Sequence, residues 1–265
     1  MYLQHFGLKH SPLGKSIRAT VPSSQQTSLH KQLNWLLEMR GLSLITGEAG
    51  TGKTVALREW TKNLNTLTHK VIYQADNHFR AFDIYSQLAD TLGIAKHHRY
   101  SNLWRALKLH LLDLHENKQM TPIWILDEAH NLSANFLLEL PAFLNFSFDS
   151  KDVLIIILVG HSTLQTTLNK SYYNALTSRL LFQFQWKAID DFPTFQAFVL
   201  DAFKNAGVQA PLISQSGLQC IYMASKGTLR YAHKIITCGL HMAAESGINH
   251  LPDDIIQDCI EAELQ

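Results

Sequence analysis

The sequence predicts an α/β fold, a parallel sheet with helices, followed by a small all-helical domain. Three observations predict it. Short β-branched or leucine-rich runs alternate with longer segments of helical periodicity up to about residue 188. Three of those runs are almost wholly apolar, as parallel strands covered on both faces must be. Beyond residue 189 the strand pattern stops and only helical segments follow.

Taken in order, strands are expected at 42–46, 71–74, 123–126, 153–159 and 181–185. Between them, Leu103, Leu107, Leu111 and Leu114 fall on one stripe of a helix over 102–116, with Trp104, Lys108 and His115 elsewhere on its circumference. Further helices are expected at 55–65 and 83–92, and then at 192–205, 214–225, 228–245 and 253–263, punctuated by Gly207, Pro211, Gly227, Gly247 and Pro252. The expected domains are therefore 1–188, α/β with a lead-in over 1–40, and 189–265, a helical lid. The acidic end, 253–265, reads as the last lid helix or as a docking tail.

Composition excludes several classes. A chain of 265 residues that is 46% hydrophobic and 10% aromatic has ample material for a core and is neither disordered nor fibrous. Its longest apolar run, Val153 to Val159, is far short of the roughly 20 residues that span a bilayer. Residues 1–10 interrupt their apolar positions too often for a signal-peptide core. The expectation is a cytoplasmic protein without a membrane partner. Cys220, Cys238 and Cys259 are odd in number and lack CxxC spacing, which suits reduced thiols better than disulfides or zinc. Residues 1–110 hold 14 Lys/Arg against 6 Asp/Glu (+8), whereas 111–265 hold 9 against 16 (−7). That split fits a polyanion near the first half, subunits stacked head to tail, or a chance distribution over a solvated surface.

Chemistry is concentrated in two motifs. Gly47-Glu48-Ala49-Gly50-Thr51-Gly52-Lys53-Thr54 matches G-x-x-x-x-G-K-[ST], with an expected strand before it and a helix from Val55 after it. Glycines in that position let backbone N–H groups close around phosphates at a helix N-terminus. Lys53 would then contact the β- and γ-phosphates of ATP, and the Thr54 hydroxyl would ligate Mg²⁺. The second motif is the apolar strand ending in Asp127-Glu128. Asp127 would hold Mg²⁺ through water and Glu128 would orient and deprotonate the attacking water; alternatively the pair caps a helix ahead of Asn131-Leu132-Ser133. Asp127-Glu-Ala-His130 also spells a helicase signature, but those enzymes carry two nucleotide-binding lobes and 265 residues leave room for one.

With both motifs placed, the chain resembles an AAA+ ATPase of the bacterial ExeA-like group, which includes the TnsC-, TniB- and MuB-type transposition ATPases. The resemblance runs from Tyr2-Leu-Gln-His-Phe-Gly-Leu-Lys9 through the two motifs, Leu144-Asn-Phe146, Leu158-Val-Gly160 and Ser178-Arg-Leu180 to Gly227-Thr-Leu-Arg230. It implies that Arg179 is an arginine finger reaching a neighbouring subunit's γ-phosphate, with a surface salt bridge as the alternative. It implies that Arg230 is a sensor arginine contacting bound nucleotide, the alternative being a helix N-terminal charge without a partner. His161 stands where the group often has glutamine, as a phosphate or water sensor or as a cap for the next helix.

The resemblance also bears on partners. The basic loop Lys96-His-His-Arg99, with Arg105 and Lys108 on the following helix, occupies the region that faces duplex DNA in related transposition ATPases; otherwise it is a solvated loop. The first functional expectation is a transposition helper: a homo-oligomer, ring or helical filament, assembled on non-specific double-stranded DNA, recruiting a transposase alongside a target-selection protein. The alternatives are the ATPase of a secretion-linked system, whose members add a membrane segment and a peptidoglycan-binding domain downstream, or a partner switch that ignores naked DNA. Neither extension follows Gln265, which favours the first.

Overall fold

The five expected strands assemble into one sheet of strand order β2-β3-β4-β1-β5. The computed structural model describes residues 2–14, 24–75, 79–208 and 211–264; residues 15–23 of the expected lead-in lie outside the described residues. In chain order the elements are α1 (Tyr2–His5), α2 (Ser24–Met39), β1 (Leu42–Gly47), α3 (Lys53–Lys62), β2 (His69–Gln74), α4 (Ala81–Leu92), α5 (Tyr100–Glu116), β3 (Thr121–Leu126), α6 (Ala134–Leu144), β4 (Ile155–Gly160), α7 (Ser162–Leu168), α8 (Asn174–Thr177), β5 (Leu180–Trp186), α9 (Phe192–Asn205), α10 (Gln215–Ser225), α11 (Leu229–Glu245) and α12 (Asp253–Leu264). Strand pairing is parallel throughout β2-β3-β4-β1, with Ile125 opposite both Tyr73 and Ile157, and Ile45 opposite Val159. Every residue of β1, β3 and β4 is buried, the pattern of strands covered on both faces.

Two compact units emerge. The first comprises Ser28–Gly47 and Trp60–Gln185 and contains the sheet. Its core centres on Tyr85 of α4, whose ring lies 4.8 Å from Phe143, 5.2 Å from Phe136 and 5.4 Å from Trp104. The four leucines of the 103–114 stripe line the buried face of α5. Two of its helices were not expected. Leu29, Leu33 and Leu36 of α2 are fully buried while its Trp35 and Met39 are exposed, and α6 is capped by Ser133, whose hydroxyl accepts from the Phe136 N–H.

The second unit comprises Met1–Thr27, Glu48–Glu59 and Trp186–Gln265. Its apolar core joins α9 to α12 with Phe6, Leu8 and Leu13 of the lead-in and with Val55. The Ser11 hydroxyl meets His233 of α11 at 3.2 Å, and burial pushes the His233 imidazole below its ordinary pKa. Among the described residues no disulfide joins the three cysteines, and Cys259 is buried against Met242. Among the described residues no helix is long and apolar enough to cross a membrane.

Candidate nucleotide site

Residues 48–52 connect β1 to α3, and their backbone adopts conformations that the glycines permit. Gly50 has φ +77° and Gly52 φ +109°, both in the region that side chains disfavour. Gly50 also has no room: a Cβ there would lie 2.4 Å from Cβ of Arg230. The loop carbonyls are taken by protein donors. The Arg230 N–H donates to Gly50 O at 3.1 Å, the Trp186 indole N–H to Thr51 O at 3.0 Å, and the Thr51 hydroxyl and Lys53 ammonium each to Glu48 O at 2.8 Å. A peptide whose carbonyl is drawn one way turns the next N–H the other way, and with the first N–H groups of α3 this makes a cradle suited to an anion. Thr54 and Ala49 are exposed, and Val55 packs into the apolar core of its own unit.

In the sheet unit, the chain leaves β3 at a buried carboxylate. Asp127 is 4% exposed; its N–H donates to Gln74 O at 2.8 Å. Its Oδ1 accepts the Glu128 N–H at 2.9 Å and its Oδ2 the Tyr73 hydroxyl at 2.8 Å. Glu128 sits at φ 52°, ψ 36° ahead of a 3-10 turn, Ala129–Asn131, with its side chain largely in solvent and making no capping hydrogen bond. The cap of α6 is Ser133 instead. His130 brings Nδ1 to 3.5 Å from Glu128 Oε2, and the same nitrogen accepts the His161 N–H at 3.3 Å. His161 itself caps α7, accepting from the Thr163 N–H.

The remaining sequence candidates lie in varied settings. Arg179 donates from Nη2 to Asp149 Oδ2 at 2.9 Å and from Nη1 to Ala175 O at 3.4 Å, so within this chain it forms a surface salt bridge. Arg230 is exposed at the start of α11, with its backbone on the phosphate loop. Lys96, Arg99 and Arg105 are exposed, and among the described residues none of the three forms an ion pair. Lys108 differs from them. Its ammonium donates to the Ala142 and Asn145 carbonyls at the end of α6 and lies 4.3 Å over the Phe146 ring, and burial lowers its pKa. It is a helix C-terminal cap rather than a member of a solvated basic track.

Residues 37–168 match the family model described as an AAA domain. Two archaeal structures share the architecture. The Aeropyrum pernix ORC2 protein in its ADPNP-ADP complexes superposes with a TM-score of 0.74 at 18% identity, covering 96% of this chain and 72% of that one. The Aeropyrum pernix ORC1 protein in complex with DNA gives 0.72 at 16% identity, covering 96% and 68%. The fold is an AAA+ fold. Among curated proteins, general secretion pathway protein A of Aeromonas hydrophila is 26% identical over 253 residues, 93% of this chain and 46% of that protein. The chain thus spans about half the length of the curated relative it matches, and the end at Gln265 carries no weight in choosing between transposition and secretion.

Three residues near these two motifs are not marked by the sequence itself. Tyr73 meets Asp127 across a separation of 54 residues, and Trp186 meets Thr51 across 135. His130 stands inside the motif 126–132, where the resemblance assigns it no role of its own. Only the position of Tyr73 and Trp186 near the carboxyl ends of expected strands could have pointed to them, since parallel sheets assemble sites at those ends.

Proposed function

We propose that this AAA+ protein binds and hydrolyses ATP and works as a homo-oligomer in the cytoplasm. The observation that carries this is the loop between β1 and α3, held by Gly50 and Gly52 in left-handed conformations with its carbonyls drawn towards the protein. Gly47 to Val55 would wrap the phosphates, and Lys53 would turn from Glu48 O to the β- and γ-phosphates. The donors also fit Mg²⁺: the exposed Thr54 hydroxyl and the buried Asp127 carboxylate are hard oxygens of the kind that ion takes. Bound there, Mg²⁺ would supply charge neutralisation on the phosphates. Glu128 orients and deprotonates the attacking water, Arg230 contacts the nucleotide from α11, His161 senses it, and Arg179 leaves Asp149 to serve a neighbouring subunit.

The 26% identity to general secretion pathway protein A favours a secretion-type ATPase over the transposition helper. The transposition reading, with a transposase and a target-selection protein as partners, retains one observation in its favour. Lys96, Arg99 and Arg105 are exposed cations on the segment between β2 and β3, and the ORC1 neighbour is described in complex with DNA. Hydrolysis measured with and without non-specific duplex DNA separates the two. Turnover indifferent to duplex supports the secretion-type reading; stimulation that is lost in Lys96→Ala/Arg99→Ala supports the transposition one. Lys53→Ala is expected to abolish nucleotide binding by direct titration, and undiminished binding in that variant would overturn the phosphate site itself.

A further inference from the structure

Glu128 stands at φ 52°, a conformation that costs a glutamate about 1 kcal/mol or more and persists only where neighbours hold it. Its backbone is held by Asp127 Oδ1, which accepts the Glu128 N–H at 2.9 Å, and by the Asn131 N–H, which donates to Glu128 O at 2.9 Å; the side chain that faces the carboxylate is His130. Its Nδ1 lies 3.5 Å from the Glu128 carboxylate and accepts the His161 N–H at 3.3 Å, which joins the turn to the residue following β4. Gly160, the last residue of β4, makes the approach feasible. A Cβ there would come within 3.2 Å of the His130 peptide nitrogen, 3.5 Å of its Nδ1 and 3.0 Å of Leu164.

We propose that His130 is the positioning residue for Glu128, tying the strained turn that carries the carboxylate to the carboxyl end of β4 and facing that carboxylate with the same ring nitrogen. The nitrogen has one position to offer. As a lone pair it accepts the His161 N–H; carrying a proton it donates to Glu128. With the lone pair given to the His161 N–H, the ring ties the turn to the end of β4, where His161 begins α7, and Glu128 is placed through the backbone of that turn; with Nδ1 protonated, the bond to His161 is exchanged for one to the carboxylate. The inference rests on the reading of Glu128 as the residue that orients water. It concerns kcat rather than nucleotide affinity, because no atom of His130 is assigned to the phosphates.

The test compares ATP turnover, KM, nucleotide affinity and melting temperature for Glu128→Gln, His130→Ala, His130→Asn and the double variant His130→Ala/Glu128→Gln. His130→Ala is expected to lower kcat by about ten- to a hundredfold, the scale of a misplaced reacting group, with KM and affinity almost unchanged. His130→Asn should recover most of the loss, since its amide oxygen can accept the His161 N–H while its NH₂ reaches the carboxylate. Adding His130→Ala to Glu128→Gln should cost nothing more. If Glu128→Gln is inactive but His130→Ala turns over like the parent, the positioning role is overturned and the role of Glu128 stands. Equal loss in the Ala and Asn variants, or a fall in affinity and melting temperature that parallels kcat, overturns it as well. Parent-like turnover in Glu128→Gln removes the role of Glu128 and this inference with it.

Discussion

Gly227 shows how one residue without a side chain fixes a junction. It has φ +72°, and a Cβ would fall 1.9 Å from the Ile189 carbonyl oxygen, a backbone atom with no freedom to rotate away. The Gly227 carbonyl in turn accepts the Ile189 N–H at 3.2 Å. Gly227→Ala therefore incurs both left-handed strain and overpacking, and the expected cost is at least about 2 kcal/mol, seen as a lower midpoint in urea unfolding. An unchanged midpoint would mean that the turn yields and that the close approach is not needed. At this scale the sequence was legible where chemistry is written contiguously. Lys53, Thr54 and Asp127 announce themselves because a phosphate cradle and a strand-end carboxylate each need neighbouring residues of fixed type. Tyr73 and Trp186 were not, because each meets its partner only through the sheet or a distant return of the chain, and a tyrosine or tryptophan at a strand end has many other uses.

Helices carry their own electrostatic demands, and Lys108 meets one for α6. Pro141 lies within that helix, and the carbonyls of Ala142 and Asn145 at its end receive the Lys108 ammonium. Lys108→Met keeps the aliphatic stem and removes the donor, so it should cost about 1 kcal/mol and lower the melting temperature by roughly 2–4 °C while leaving any duplex binding intact. A normal melt with weakened duplex binding would return Lys108 to the basic track. α11 makes a second case through His233, whose folded-state pKa is depressed by burial. The sign follows from linkage: the unfolded chain binds the proton first, so the contribution is present above the ordinary histidine pKa and is lost as pH falls through the depressed one. Melting temperature should therefore drop between pH 7.5 and pH 5.5, and His233→Gln should flatten that drop; an identical slope in the variant would assign it to other groups. Strands were readable from apolar runs because both faces of β1, β3 and β4 are covered. α2 and α6 were harder. The first places the apolar Trp35, Leu37 and Met39 beside its buried Leu29, Leu33 and Leu36, which blurs the stripe, and the second combines a proline with an almost wholly apolar sequence, leaving periodicity little contrast to report.

For the whole molecule, the proposed chemistry is incomplete in one chain. Arg179 is engaged by Asp149 of its own chain, in a pair exposed enough to be weak, so a neighbour's γ-phosphate can compete for the guanidinium. The division of charge, +8 over residues 1–110 and −7 over the rest, is compatible with subunits that meet head to tail. If Arg179 acts in trans, specific activity should rise with protein concentration, and two inactive variants should restore each other. Arg179→Ala keeps an intact Glu128 but lacks a finger to offer; Glu128→Gln keeps the finger but has no base. Mixed, the Arg179→Ala subunit receives the finger of its Glu128→Gln neighbour, and turnover should reappear, at most at the fraction of interfaces that pair the two in that order. Mixing Lys53→Ala with Glu128→Gln instead leaves each site deficient in a residue of its own chain, so that mixture stays silent. Recovery in the first mixture and silence in the second require a shared site; silence in both would confine Arg179 to its salt bridge with Asp149 and make each subunit catalytically self-contained.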